Sequence, residues 1–361
     1  MTIAPLDPAE LPALGEFLRE AGATVPQPNL EQFSMPRTAG PGPGVATLVL
    51  KEGGRILGSI GYLDIPLALS EGGAGGPGTR REELARWPIN HFLLAECRGR
   101  GLGKQLMEAA WEGAPCLLAI GGTETSIPAR NKTGWRPIGQ LTCWRFKAPA
   151  RGLLATGKLR DRRNTMSRRV PPDSVSLRPA GREIIARRTR ELSGWLPWVT
   201  PDPPSARPEI GAPRDAAYLR FAFNGALSKY HVIYTVSVNG ALAGYFVLAA
   251  RSDRRPFLSI EIVDIDAAPG FETEVIEAAR ATGFTRADVV RLRLGGDRLT
   301  MALRSLRGDI KESPDHAFRI SSRPGSLVEE PAAASLQAWH LTYGDHDQYR
   351  VRTASLIWSE D

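Results

Sequence analysis

Arg98-Gly-Arg-Gly-Leu-Gly103 runs directly into Lys104, which puts three glycines and three cations within seven residues. Glycines at that density let a backbone turn aim its N–H groups at one point, and a helix starting there adds the positive end of its dipole. The chemistry of such a turn is the binding of a phosphate or pyrophosphate. Spacing excludes two common owners. A dinucleotide fold needs Gly-x-Gly-x-x-Gly with an acidic residue further on, and Gly99, Gly101 and Gly103 do not match it. A nucleoside triphosphate loop needs Gly-Lys-Ser/Thr, and Gly103-Lys104-Gln105 lacks the hydroxyl that would hold magnesium.

Other clusters carry less. Trp339-His-Leu-Thr-Tyr-Gly-Asp-His-Asp-Gln348 groups His340, Asp345, His346 and Asp347, but without separated Cys or His pairs it reads as a polar turn rather than a metal site. Cys97, Cys116 and Cys143 have no ligand spacing and form no even set, which fits a reducing cytoplasm, the expected location. The net charge of +7 is concentrated in Lys158 to Arg169, a run without aromatics for base stacking. It reads as a solvated connector, and nucleic acid is not an expected partner. No apolar run reaches the roughly 20 residues that span a bilayer, and no signal peptide opens the chain. At 42% hydrophobic and 24% charged, 361 residues suffice for two ordinary domains.

The elements that position the glycine loop are legible. Pro88 to Leu94 reads as a strand, and Lys104 to Trp111 as an amphipathic helix. Upstream, Asp7, Pro8 and Glu10 form a helix-start pattern ahead of Leu11, Leu14, Phe17 and Leu18. Val45 to Tyr62 reads as a hairpin around Gly53-Gly54, and residues 66 to 88 as a stretch containing a flexible glycine-rich loop. Cys116 to Ile120 is a buried strand, and Pro137 to Phe146 is strand-like. Trp195 to Trp198 with Pro201 to Pro213 reads as a rigid connector or a domain-packing segment.

The second half repeats this order. His231 to Leu248 is a hairpin around Asn239-Gly240, and its Ala241-Leu-Ala-Gly-Tyr echoes Arg55-Ile-Leu-Gly-Ser. A strand (Ser259 to Ile265), a helix (Glu272 to Ala281), a strand ending in Gly295-Gly296 and a helix (Leu299 to Leu306) follow. Where the first half has its glycine loop, the second has Ala267-Ala-Pro-Gly-Phe-Glu272. Pro269 removes a donor and Glu272 puts negative charge at the helix start, so this copy is not expected to hold pyrophosphate.

The Arg-x-x-Gly-x-Gly spacing of Arg98, Gly101 and Gly103, between a strand and a helix, resembles the pyrophosphate loop of the GNAT acyl-coenzyme A transferases. Asn131-Lys-Thr-Gly-Trp-Arg-Pro-Ile-Gly139 is similar to that family's terminal Gly-aromatic segment. The likeness covers the first 148 residues and, more faintly, the region from about 170 to 322. It implies an α/β fold class of two GNAT-like domains, each a mixed, mostly antiparallel central sheet flanked by helices. Residues 1–148 would carry the intact loop, 149–175 a basic linker, 176–322 the degenerate copy and 323–361 a C-terminal extension.

The resemblance also implies a cosubstrate, acetyl-coenzyme A or another acyl-coenzyme A, with no metal. Phe92, Leu93, Leu94, Arg98, Gly99, Arg100, Gly101, Leu102, Gly103 and Lys104 are the residues expected to hold it. A small-molecule or peptide amine would attack the thioester directly, with a backbone N–H near Leu94 stabilising the oxyanion. His91, Glu96 and Glu124 are candidate bases. Arg130 stands four residues before Gly134, where many members carry a tyrosine, and can stabilise a thiolate only by charge. Cys143 and Thr123 are further candidates for protonating it. The alternative implied by that departure is a non-catalytic acyl-coenzyme A sensor or assembly module.

Overall fold

The computed structural model describes residues 1–22, 44–70, 80–121, 127, 130, 133–147, 172–189, 209–212, 214, 216–223, 231–251, 259–284, 289–295, 298–306 and 310–342. The first repeat opens with β1 (Thr2–Pro5) and α1 (Leu11–Glu20). Asp7 caps a short 3-10 turn ahead of α1, accepting from the Ala9 N–H at 2.9 Å while Glu10 accepts from the Asp7 N–H. Then come β2 (Gly44–Glu52), β3 (Arg55–Ser70), β4 (Arg80–Leu93), α2 (Leu102–Trp111), β5 (Cys116–Ile120) and β6 (Arg136–Lys147).

The glycine-rich loop expected within 66 to 88, Gly72 to Thr79, lies outside the described residues, and the strands flanking it run longer than the sequence predicts. β3 continues to Ser70 and β4 begins at Arg80, pairing in register as far as Ser70 with Arg80. Ile65, Leu67 and Leu69 on one strand and Ala85, Trp87 and Ile89 on the other are all buried at alternate positions. That period of two outweighs the nearby glycines, which fall in residues 71–79, outside the described residues.

The second half holds β7 (Ser174–Leu177), β8 (Ile184–Thr189), β9 (Glu209–Gly211), α3 (Ala216–Phe223), β10 (His231–Val238) and β11 (Ala241–Arg251). It continues with β12 (Ser259–Ala267), α4 (Glu272–Phe284), β13 (Val289–Gly295), α5 (Arg298–Ser305), β14 (Ile310–Ser322) and β15 (Trp339–Thr342). Matching β2 to β10, β3 to β11, β4 to β12, α2 to α4, β5 to β13 and β6 to β14 reproduces the repeat. Gly58 and Gly244 confirm the match. A Cβ at Gly58 would meet Leu93 at 2.5 Å and Leu106 of α2 at 3.0 Å, and one at Gly244 would meet Val275 of α4 at 2.5 Å. Both repeats therefore need glycine where a helix lies on the second hairpin strand.

The two repeats share one sheet and exchange their last strands. Among the described residues the order is β1-β2-β3-β4-β5-β14-β6-β13-β12-β11-β10-β8-β7. β14 of the second repeat pairs with β5 of the first, and β6 of the first pairs with β13 of the second. β6 and β14 are antiparallel neighbours at the centre. Short β9 bridges from β3 to β15, and β15 reaches β13, so β3-β4-β5-β14-β6-β13-β15-β9 closes on itself.

Closure gives the sheet an inner and an outer face. Inside, α3 sends Tyr218, Leu219, Ala222 and Phe223 into a core with Leu67, Trp87, Leu118, Val247, Phe318 and Trp339, so both repeats share this core. Outside, α1 and α2 cover the first repeat through Leu14, Phe17 and Leu106, and α4 and α5 cover the second through Val275, Ile276, Leu299 and Leu303. Among the described residues no helix is long and apolar enough to cross a membrane, and no three His, Cys, Asp or Glu side chains group as metal ligands.

Candidate functional site: the opening between two parallel strands

β4 and β5 run parallel but pair only at Ala85 with Cys116 and Arg86 with Leu117. β14 pairs with the other edge of β5 along its whole length, and the end of β4 has no strand partner on its β5 side among the described residues. A register shift against β3 between Ser59 and Gly61, where β4 carries one extra residue between Ile89 and Phe92, re-aims the strand there. His91 lies in that bulge. The result is a wedge-shaped opening with an exposed backbone edge.

The glycine loop lies at its mouth. Gly99 and Gly101 take φ of 77° and 78°, values that β-carbon-bearing residues rarely adopt. Gly101 is the N-cap of α2 and no side chain caps that helix; the Lys104 N–H donates to the Gly101 carbonyl at 3.0 Å, which leaves the Leu102 and Gly103 N–H groups and the helix dipole at the helix start. Gly103 has ordinary φ, and its missing Cβ serves packing: a Cβ would stand 3.2 Å from Leu93 and 3.4 Å from the His91 ring. Arg98, Arg100 and Lys104 are exposed around the loop. Arg98 leans to the Leu93 carbonyl at 3.4 Å, and Lys104 lies 3.5 Å from Glu108 along the helix.

α2 is held at its other end by Arg86. The buried guanidinium donates to Asp64 at 2.7 Å and to the Ala110 and Glu112 carbonyls at 2.7 and 2.8 Å, and it sits 3.9 Å over the Tyr62 ring. A cation on the negative helix terminus fixes α2 to β3 and β4, and thereby aims its N-terminus at the opening.

His91 keeps solvent contact while protein surrounds it on most sides, as a side chain lining a cleft does. Desolvation, and then the charge of Arg130, push its pKa down to about 4. Between pH 6.5 and about 4 the unfolded chain takes up a proton here that the folded chain does not, so stability falls on acidification across that window and is unaffected above it. His91→Asn is expected to flatten that dependence, read from urea midpoints at pH 7 and pH 5. Water at the exposed ring edge keeps the effect modest. A variant as acid-sensitive as the parent would overturn the assignment.

Arg130 is brought to the same opening. Its Nη1 donates to the Gly121 carbonyl at 3.1 Å, just past the end of β5. Glu96 is directed elsewhere: it is exposed and ion-paired with Arg55 at 3.3 Å, on the outer surface. Glu124 and Thr123 lie outside the described residues. Cys143 is on β6, separated from β5 by β14, and burial pushes its thiol up. An oxyanion donor is expected near Leu94, and the N–H of Leu94 itself is already given to the Leu57 carbonyl at 3.0 Å. Pairing with β3 persists to the last residues of β4, which takes the Leu94 N–H away from the opening.

The second repeat has the same wedge, filled by its own chain. β12 and β13 pair in parallel from Ser259–Val289 to Ile262–Leu292. Above that, Leu294 and Gly295 pair with Thr342 and Leu341 of β15, which also approaches β12. Trp339 anchors β15, packing edge-on against Phe318 at 4.8 Å and donating to the Ala333 carbonyl. Ahead of α4, Gly270 keeps a φ of 84°, but its N–H donates to the Glu272 carboxylate at 2.9 Å. An internal carboxylate thus takes the position of an anion.

No family model and no curated protein matches this sequence. Solved structures do match its fold. A GCN5-related N-acetyltransferase from Anabaena variabilis aligns over 88% of this chain and 72% of its own, at 11% identity and a TM-score of 0.55. One from Kribbella flavida aligns over 92% and 72%, at 15% identity and a TM-score of 0.50. A protein of unknown function from Enterococcus faecalis, described as a probable N-acyltransferase, aligns over 88% and 72% at 12% identity and a TM-score of 0.50. The chain therefore has the GCN5-related N-acetyltransferase fold, and its internal repeat makes it a tandem version of that fold.

Proposed function

We propose that the first repeat binds an acyl-coenzyme A, with acetyl-coenzyme A the simplest case, and transfers the acyl group to a primary amine. The observation that carries this reading is the uncapped N-terminus of α2, behind two positive-φ glycines, opening onto the unpaired edge of β4. Arg98, Gly99, Arg100, Gly101, Leu102, Gly103 and Lys104 would take the pyrophosphate, and the edge at Phe92 and Leu93 the extended pantetheine arm. Bound there, the coenzyme supplies an activated thioester.

The chain's own contribution is modest and geometric. His91 stays neutral at the pH where an amine reacts, so its imidazole can orient the amine or a water but is a weak acceptor of the ammonium proton. Arg130, held by the Gly121 carbonyl, places positive charge where a thiolate would depart. The second repeat, with its wedge filled by β15 and its loop by Glu272, would hold no coenzyme. Calorimetry is expected to give one coenzyme A per chain. Gly103→Trp, whose indole must displace Leu93 and His91, is expected to abolish that binding. Undiminished binding by the variant would sink the assignment, and two equivalents would sink the single-site reading.

A second reading, a coenzyme-binding module without turnover, is favoured by three observations. The Leu94 N–H and Glu96 are committed elsewhere, and His91 is a poor base. Thiol release from acetyl-coenzyme A across a panel of amines separates the two readings.

A further inference from the structure

His91 lies against the start of α2. A Cβ on Gly103 would stand 3.4 Å from both Cε1 and Nε2 of the imidazole and 3.2 Å from the Leu93 side chain. In a helix the Cα–Cβ bond tilts toward the N-terminus, so the ring sits on the N-terminal side of Gly103, beside the Leu102 and Gly103 N–H groups. Glycine at 103 leaves room for it. An anion seated on those N–H groups has the edge of the imidazole as its neighbour.

Among the described residues, the elements around the ring carry mostly positive charge: Arg130 at the end of β5, Lys104 on α2, and Arg98 and Arg100 on the loop. Glu108 stands a turn further along α2, 3.5 Å from Lys104, and Glu96 is paired with Arg55 on the outer surface. Desolvation, and then the charge of Arg130, keep the free imidazole neutral down to about pH 4. An anion at the helix start works against both causes. Poor solvation strengthens its attraction for a charged ring, and its own charge offsets that of the guanidinium.

We propose that coenzyme binding is coupled to proton uptake at His91, the imidazole becoming charged as the pyrophosphate seats and donating an N–H to it. This rests on the coenzyme reading of the first repeat and adds a pH control to that site. The proton comes from solvent through the ring edge that stays exposed, and returns to it when the coenzyme leaves. The sign follows from linkage. Binding raises the pKa of the ring, so affinity climbs as pH falls through the raised value and levels off near pH 4, where the free ring is charged as well. At the alkaline pH where an amine reacts, the ring is neutral in both states.

Calorimetry on the full chain tests the coupling. Dephospho-coenzyme A is the probe, because its pyrophosphate diester holds one charge throughout the range from pH 5.5 to pH 8. Titrations at pH 6 in two buffers of different ionisation heat read proton uptake directly. The parent is expected to take up a fraction of one proton per coenzyme, and to bind severalfold more tightly at pH 5.5 than at pH 8. His91→Gln keeps a polar side chain of similar reach, and His91→Phe keeps a ring against Gly103. Both should bind without proton uptake, and with an affinity that no longer rises in acid. Binding by the parent without uptake, or uptake that survives in both variants, overturns the coupling and leaves the coenzyme reading standing. No binding by the parent at either pH overturns both.

Discussion

Replacing Arg86 with alanine is expected to cost about 3–5 kcal/mol of stability, the usual effect of removing one partner from a buried ion pair. Asp64 would stay buried without its Arg86 partner, and the Ala110 and Glu112 carbonyls at the end of α2 would lose their donor. Urea unfolding with a far-ultraviolet readout measures the loss. The double variant Arg86→Met/Asp64→Leu should recover much of it, because apolar replacement of both partners removes the stranded charge. Coenzyme binding should weaken in the single variant even where it remains folded, since the anchor of α2 sets where its N-terminus points. A loss below about 1 kcal/mol, the range of an exposed pair, would show that the ion pair does not hold the helix.

Separating the repeats is expected to have the largest effect of all. In a chain ending at residue 148, β6 would have neither of its neighbours, since β14 and β13 both belong to the second repeat. β5 would expose an all-apolar edge strand, and the inner core would lose α3, Phe318 and Trp339. Expressed alone, residues 1–148 should be insoluble or aggregated. Expressed together with residues 149–361, the two pieces should elute as one complex in size-exclusion chromatography. A monomeric first piece with a cooperative melt would mean that the strand exchange is dispensable.

How much of this was legible follows the range of each signal. The capping pattern of Asp7 and Glu10, the positive-φ turns at Gly53-Gly54 and Asn239-Gly240, and the glycine loop ahead of α2 are written within a few neighbouring residues. The repeat was legible because Gly58 and Gly244 recur at the same step of each hairpin, and a helix crossing there forbids a side chain. Arg86 was not singled out, although an arginine between buried strand positions carries a signal of its own: it must find a buried acceptor. Nothing in the local sequence says how far β3 follows β4, so the commitment of the Leu94 N–H to the Leu57 carbonyl is not legible there.

The sequence alone determined that one turn ahead of a helix gathers three glycines and three cations, and that its counterpart in the second half has Pro269 and Glu272 instead. These are properties of backbone freedom and charge within one turn. The tertiary structure decided which strand lies beside which. It put β14 between β5 and β6, drew β15 into the second wedge, and gathered His91 and Arg130 while sending Glu96 to the surface. Those choices rest on burying apolar faces contributed by residues far apart in the chain, such as Ile120 and Phe318 on paired β5 and β14. Strands of similar pattern offer no local mark of their partner, so only the closed sheet resolves the pairing.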